Sequence, residues 1–425
     1  MKRILFIAYF FPPCPSIGSQ RPYKLAKYLS VHGWEPIILT PQAAGKRPEG
    51  LKVIETQDRD VLGDLKASFR FDPRKGMHEQ LGIEVHKNFD YRTIRSKIIR
   101  FFKEVIAFPE NEIGWYPFAV DSASEVLKND HVQAIISTSF PVTSHMIAKR
   151  LKEQYGIPWV ADIRDPWTQN PYWTKYEIVK FFERKLEVRV LSQADILVVV
   201  SPLWVDLLKS LHKGARVLCV PNGFDPDDFP GSPINLTRKF TLTYTGQMYN
   251  GKRDPGLLFK VVSNLIKEGR IDEELIDIRF FCLEESWLLH EVRRYNLDKV
   301  VSFHGYVPRE DALKRQRESQ LLLLLLWEKD GEEGFCPAKL YEYLGAKRPI
   351  LAIGGSNGGV VQEILSTTEA GKFASGYEEL SSVLLQFYEQ YTADLQITSH
   401  SNHNIEKYTY YSIAKEYSEI LNQLV

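Results

Sequence analysis

The sequence predicts an α/β protein made of two Rossmann-like domains, each a parallel sheet wrapped by helices. Short apolar runs alternate with helical stretches along nearly the whole chain, the pattern of repeated β-α-β units. The alternation comes in two sets, interrupted at residues 221–238 by a stretch rich in Pro, Gly and Asp. The third observation is length, since 425 residues exceed what a single hydrophobic core usually supports.

In the first half the strand-like runs fall at 4–10, 36–39, 134–137, 159–163 and 196–200, with helical stretches at 21–32, 143–154 and 174–191. The second half restarts at 240–244 and continues with runs at 276–282, 300–303, 321–326 and 350–353. These spans divide the chain into a domain over 1–220, a linker over 221–238, a second domain over 239–400 and a C-terminal helix over 401–425 that packs back toward the first domain. Residues 42–88 break the rhythm, being polar and turn-rich, and read as an insertion rather than sheet. The apolar N-terminal run is short and leads into Pro12 and Pro13 without a small-residue cleavage site, so it reads as a first buried strand.

Charge and cysteine usage narrow the function classes. Lys plus Arg equal Asp plus Glu at 54 each, which gives no hint of nucleic acid. The cysteines Cys14, Cys219, Cys282 and Cys336 lie far apart with no CxxC pair, against a zinc site or a disulfide framework and in keeping with a reducing cytoplasm. No run of 18 apolar residues is present, so nothing is expected to span a membrane. After residue 91, Arg92, Arg95, Lys97, Arg100 and Lys103 interleave with apolar residues, a pattern of either a domain helix with a solvated basic face or a helix resting on anionic lipid.

The most informative segment is 334–347, between the leucine run and the strand at 350–353. A turn and helix between two buried parallel strands is where open α/β sheets bind ligands. Pro337 suits the first helical position and the free amides beside it suit an anion. Leu340 and Leu344 then face the core, while Glu342 presents a carboxylate to a ligand such as a ribose diol. Phosphate and ribose together point to a sugar nucleotide.

Several segments in order resemble the retaining GT-B glycosyltransferases, specifically family 4. They are Tyr9-Phe10-Phe11-Pro12-Pro13 with Gly18, Ser19 and Arg21; Asp162 to Trp167; Ala194 to Ser201; Pro221 to Asp225; Thr245-Gly246 with Lys252-Arg253; His304 to Tyr306; and the segment 334–347. The resemblance implies a GT-B fold, two Rossmann-like domains facing each other across a cleft. It implies a nucleotide-sugar donor on the second domain and a glycan or lipid-linked acceptor on the first, with no cofactor, no essential metal and no nucleic acid, and envelope polysaccharide assembly as the setting. Localisation is expected to be cytoplasmic, with contact with an anionic membrane on the inner face left open.

The same resemblance assigns residues. Lys252 and Arg253 are matched to stabilising the leaving diphosphate, and Asp165 to the place where many relatives put a histidine near the reacting sugar. Glu342, Glu333, Gly334, Phe335, Cys336, Lys339 and Gly246 are matched to the donor, and Gly18, Ser19, Arg21 and His145 to a phosphate or acceptor loop. Two departures stand out. Gln247 follows Gly246 where many relatives have Arg, and the position eight residues before Glu342, where a first glutamate is usual, is Gly334. Glu333 or Glu332 takes that role only if the loop is longer. Asp162, Arg164 and Asp165 read alternatively as a buried ion cluster, and His145 as a structural histidine. Asp225-Pro226-Asp227 fits a DxD pattern but lies in the linker, and residues 354–359 fail the G-x-G-x-x-G spacing. The competing functions are a nucleotide-sugar epimerase or hydrolase of the same fold, and a non-catalytic partner that binds sugar nucleotides.

Overall fold

The computed structural model describes residues 1–61, 63–64, 94–172, 174–231, 235–249, 251–327, 333–397 and 404–425. The chain forms two compact units, one of Met1–Pro221 with Ile413–Val425 and one of Asn222–Ser412.

The first unit holds β1 (Lys2–Ile7), β2 (Trp34–Pro41), β3 (Lys52–Thr56), β4 (Val132–Ser139), β5 (Trp159–Ile163), β6 (Ile196–Val199) and β7 (Val217–Cys219). They form one sheet in the order β3-β2-β1-β4-β5-β6-β7, every pair parallel. Its helices are α1 (Gln20–Leu29), α2 (Ile94–Ile106), α3 (Tyr116–Asn129), α4 (Thr143–Tyr155), α5 (Glu177–Leu191) and α6 (Pro202–Leu211). Central strands such as β1 and β4 are apolar on both faces because helices cover both.

The second unit holds β8 (Phe240–Thr245), β9 (Ile276–Phe281), β10 (Val301–Phe303), β11 (Leu321–Leu325), β12 (Ile350–Ile353) and β13 (Gly371–Ala374) in the order β10-β9-β8-β11-β12-β13, again parallel. Its helices are α7 (Gly256–Lys267), α8 (Ser286–Arg294), α9 (Arg309–Glu318), α10 (Ala338–Ala346), α11 (Val360–Thr368) and α12 (Tyr377–Asp394). A last helix, α13 (Tyr410–Asn422), carries the chain back into the first unit at Ile413. In both sheets the strand order reverses beside the first strand, which places a switch point between β1 and β4 and another between β8 and β11.

Three expectations change. The segment 42–88 contains β3, an edge strand whose half-polar sequence lacks the apolar run of a central strand; its residues beyond 64 lie outside the described set. The edge strands β7 and β13 escaped notice for the same reason. Residues 222–231 are not a free linker but part of the second unit. Phe224 is buried and pairs with the backbone of Tyr408 and Tyr410, while Phe224 and Phe229 pack on α10, where a Cβ at Gly345 would lie 2.3 Å from the Phe229 ring.

The first unit is tied together by one buried ion pair. Arg21, on α1, donates to Asp162 at the end of β5 at 3.0–3.2 Å, to the carbonyls of Val220 and Pro221, and to the hydroxyl of Tyr417 on α13. Tyr417 and Thr138 in turn donate to Asp162 at 2.6 and 2.7 Å. Burial alone would raise the Asp162 pKa, yet Arg21 and these two hydroxyls hold it below the usual carboxylate range.

Breaking a buried pair leaves an uncompensated charge. Arg21→Met or Asp162→Ala is therefore expected to cost about 3–5 kcal/mol in urea denaturation, with Arg21→Lys restoring little because an ammonium lacks the planar fork. With its folded pKa depressed, Asp162 contributes stability that is present above the unfolded carboxylate value near 4 and is lost as pH falls through the lower folded value. Wild type is accordingly expected to lose stability below about pH 4 more steeply than Asp162→Asn in acid titrations followed by circular dichroism.

Candidate functional site

At the switch point of the second unit, β8 ends at Thr245 and the chain turns at Gly246, whose φ of 115° favours glycine. A Cβ there would also lie 2.6 Å from Lys339 Nζ. Glycine thus lets the lysine of the neighbouring helix reach back over the strand end.

Helix α10 is fixed in place from its buried side. Leu340 and Leu344 are core residues, as their i,i+4 spacing predicts. Tyr343 accepts a hydrogen bond from the Thr245 amide at 3.3 Å, and Gln316 donates to the Thr245 hydroxyl at 3.0 Å, so α9, α10 and β8 are locked together. Pro337 is the residue just before the helix, one position earlier than expected.

This packing presents Lys339 as an ammonium without a counter-charge. Its Nζ lies 3.9 Å from the centroid of the Tyr244 ring and makes no hydrogen bond or ion pair among the described residues. Burial, helped by the nearby Arg253 guanidinium and only partly opposed by Glu342, lowers its pKa to about 7. Arg253 lies 5.1 Å from the Tyr249 ring and has no ion pair to a carboxylate among the described residues. Lys252, on the same loop, is exposed and lies over the Trp327 ring at 4.4 Å. Lys339 and Arg253, without carboxylate partners among the described residues, lie near the start of a nine-residue helix, an arrangement that can hold an anion.

Glu342, one turn along α10, is already engaged. Arg309, on α9, donates to it at 3.1 Å and to Asp228 at 3.0 Å. One carboxylate oxygen is thereby oriented at the helix surface, which is how a diol-binding carboxylate must be held. The sequence reading missed Arg309, although it is the first residue of the helix that follows the His304 to Tyr306 segment.

The approach loop is only partly described, and Glu332 lies outside the described residues. The Glu333 carbonyl accepts from the Val360 amide at 3.0 Å, which joins this loop to the glycine-rich turn before α11. Gly334 is buried and Phe335 half-buried. Burial pushes the Cys336 thiol up to about 12, so it packs as a neutral apolar group against the core cluster that holds Leu340 and Leu344 rather than acting as a nucleophile. The Asp225 carboxylate accepts from the Asp227 amide at 3.0 Å and caps its own turn.

At the switch point of the first unit the organiser is Arg164. Its guanidinium donates to the carbonyls of Gly18 at 2.6 Å, Phe140 at 2.9 Å and Ser139, tying together the loops that follow β1 and β4. Asp165 follows it directly. Its carboxylate makes no hydrogen bond among the described residues, and burial, opposed by Arg164, raises its pKa to about 6.

The ion cluster considered for this segment does not form. Asp162 pairs with Arg21, Arg164 binds backbone, and Asp165 is left over. The loop assignment is corrected accordingly. Arg21 is 3% exposed and committed to Asp162; Ser19 is buried and donates to the Ser16 carbonyl; and the Gly18 amide is taken by Ser16. His145 is buried against Ser137 at 2.7 Å and kept neutral, since burial lowers its pKa to about 3. These three side chains serve the fold.

The two parallel sheets with their strand orders define the GT-B fold. Its similarity extends to sucrose-phosphate synthase from Thermosynechococcus elongatus (TM-score 0.63, 14% identity, 100% of this chain and 99% of that one). It extends also to Anabaena HepE in complex with UDP-glucose (0.60, 12%, 100% and 100%) and to WaaG, a glycosyltransferase involved in lipopolysaccharide biosynthesis (0.56, 12%, 98% and 99%). Residues 20–228 match the model of Glycosyltransferase Family 4, and the chain as a whole has the GT-B fold. No curated protein matches the sequence significantly.

Arg309→Ala tests the orientation of Glu342. Affinity for UDP or GDP, whichever binds, is expected to fall by roughly tenfold in calorimetry, while affinity for inorganic pyrophosphate stays within a factor of two or so. Equal loss for both ligands would mean that Arg309 serves the phosphates instead.

Proposed function

We propose that the protein is a retaining, metal-independent glycosyltransferase that moves a hexose-like unit from a nucleoside diphosphate sugar to a glycan or lipid-linked acceptor in the assembly of an envelope polysaccharide, on the cytoplasmic side. The observation that carries this reading is the Lys339 ammonium, held against Gly246 and Tyr244 at the start of a helix with no counter-ion among the described residues.

A half-buried charge without a partner among the described residues carries a desolvation cost, and one kept beside Arg253 and helix amides is explained by an anion that arrives as ligand. The groups gathered there are cations and amides, which neutralise a diphosphate themselves and are not metal ligands. In this reading Lys339, Arg253 and Lys252 stabilise the charge that grows on the phosphates as the anomeric C–O bond breaks. Glu342, oriented by Arg309, holds the ribose. The acceptor oxygen bonds to the anomeric carbon on the face the phosphate leaves, and its proton passes to the departing phosphate oxygen. Asp165 is placed on the acceptor side, where its carboxylate can hydrogen-bond a sugar hydroxyl or offset oxocarbenium charge. The HepE complex with UDP-glucose and the role of WaaG in lipopolysaccharide biosynthesis support the donor class and the setting.

Lys339→Met separates this reading from a structural role. It is expected to leave the apo protein at least as stable as wild type, because it removes a half-buried ammonium whose charge burial disfavours, and to abolish the thermal shift given by nucleoside diphosphates. Loss of apo stability with nucleotide binding retained would overturn the site. An anion raises the lysine pKa, so wild-type affinity should be highest below the free value near 7. It should then fall, by up to about tenfold per pH unit, as pH rises toward the bound value.

Asp165→Asn is expected to lower turnover by roughly 100-fold or more without weakening nucleotide binding. The wild-type rate should decline below about pH 6 as Asp165 takes up a proton. A variant that turns over normally would remove Asp165 from the reaction.

A further inference from the structure

Helix α5 is built inside out. Its inward stripe is Val179, Glu183, Glu187 and Val190, so two carboxylates face the core at 0% and 1% exposure. On the outward face Ile178, Phe181 and Phe182 each stand 52% exposed. The inversion is supported by dedicated partners. Lys175 binds Glu183 at 2.5 Å, and the Thr168 amide and hydroxyl bind Glu187, with His212 at 3.5 Å.

The consequence is a surface that composition hides. In sequence, α5 has Glu177, Glu183 and Glu187 against Lys180, Arg184, Lys185 and Arg189, nearly balanced. With two glutamates turned inward, only Glu177 remains to oppose the four cations. Phe181, Val188 and three of those cations border a shallow hollow of about 360 Å³, with Lys185 Nζ 4.3 Å from the Phe181 ring centroid. The start of α5 is met by α2, where Tyr176 binds the Lys97 carbonyl at 2.7 Å and packs on Phe101. Helix α2 adds its own exposed stripe at i, i+4 and i+7, namely Ile98, Phe102 and Val105.

We propose that the outward face of α5, extended by α2, docks on an anionic lipid membrane. Phe181, Phe182 and Ile178 enter the boundary between headgroups and acyl chains, while Arg184, Lys185 and Arg189 meet lipid phosphates. Charge complementarity selects this occupant. Four cations against one exposed acid match a negative surface, and at a lipid boundary basic side chains snorkel beside buried phenyl rings and gain from the negative potential. The inference stands independently of the transfer reaction, since partition onto lipid can be read without turnover.

The test is sedimentation of the full chain with vesicles of phosphatidylcholine alone or with roughly 30 mol% phosphatidylglycerol. Wild type is expected to pellet with the anionic vesicles only, and to be released when salt is raised from about 0.1 to 0.5 M. Phe181→Ser/Phe182→Ser and Arg184→Glu/Lys185→Glu should each reduce the bound fraction at least about tenfold. All four side chains lie outside the core, so circular dichroism and nucleotide binding should be unchanged. The proposal is overturned if wild type stays in the supernatant, or if either double variant pellets like wild type. It also fails if the face proves to join two copies of the chain, shown by a dimer that Phe181→Ser/Phe182→Ser converts to monomer without any vesicle binding.

Discussion

The first unit depends on a single carboxylate. Asp162 sits at the end of a central strand with no exposure, and such a charge persists only if its partners outweigh the cost of leaving water. Arg21 and the hydroxyls of Thr138 and Tyr417 supply those partners. Because the same guanidinium also takes the carbonyls of Val220 and Pro221, one interaction fixes α1, β5, the exit from β7 and the returning helix α13. Arg164 can then use its own guanidinium on loop carbonyls, and Asp165 is left without a hydrogen-bond partner among the described residues. The reactive-looking carboxylate is a by-product of how fully its neighbour three positions back is satisfied.

The second unit handles charge in the opposite way. Its sheet has the same strand order around the first strand, and the corresponding loops meet at the corresponding edge, yet the cation there has no counter-charge among the described residues. Lys339 lies against an aromatic face and a glycine instead of a carboxylate, and its pKa falls accordingly. Glu342, close enough to act on it electrostatically, is bound by Arg309, which also pairs with Asp228. Arg309 thus fixes the Glu342 carboxylate at the surface of α10 by tying it to the segment that carries Asp228.

Much of this was legible in the sequence, and the failures share a cause. The central strands, the α10 helix and the clustering of Lys252, Arg253, Lys339 and Gly246 follow from apolar runs, a Pro-led helix start and motif order. Arg21 looked like a phosphate ligand because a helix-start arginine beside Gly18 is ambiguous until Asp162, 141 positions away, is folded beneath it. His145 was ambiguous in the same way, its partner Ser137 lying on β4. Arg309 was invisible because its meaning comes from two carboxylates on separate segments. Periodicity reports which face is buried; it does not report which charges that face will neutralise.

Helix α5 shows the limit of periodicity more sharply. An amphipathic reading assigns phenylalanines inward and glutamates outward, and the composition of the helix offers no objection. The reversal needs Lys175 and Thr168, both outside the helix, to make burial of Glu183 and Glu187 tolerable. Once they do, the phenyl rings have nowhere to go but out, and the surface charge of the helix shifts from near balance to strongly positive. The same reasoning orders the cost of change. Removing Lys175 leaves Glu183 buried without a counter-charge and should disturb the helix, whereas removing Phe181 and Phe182 deletes only exposed apolar area. A fold that places its partnered acids inside and its aromatic and basic groups outside has separated what holds the helix from what the helix presents.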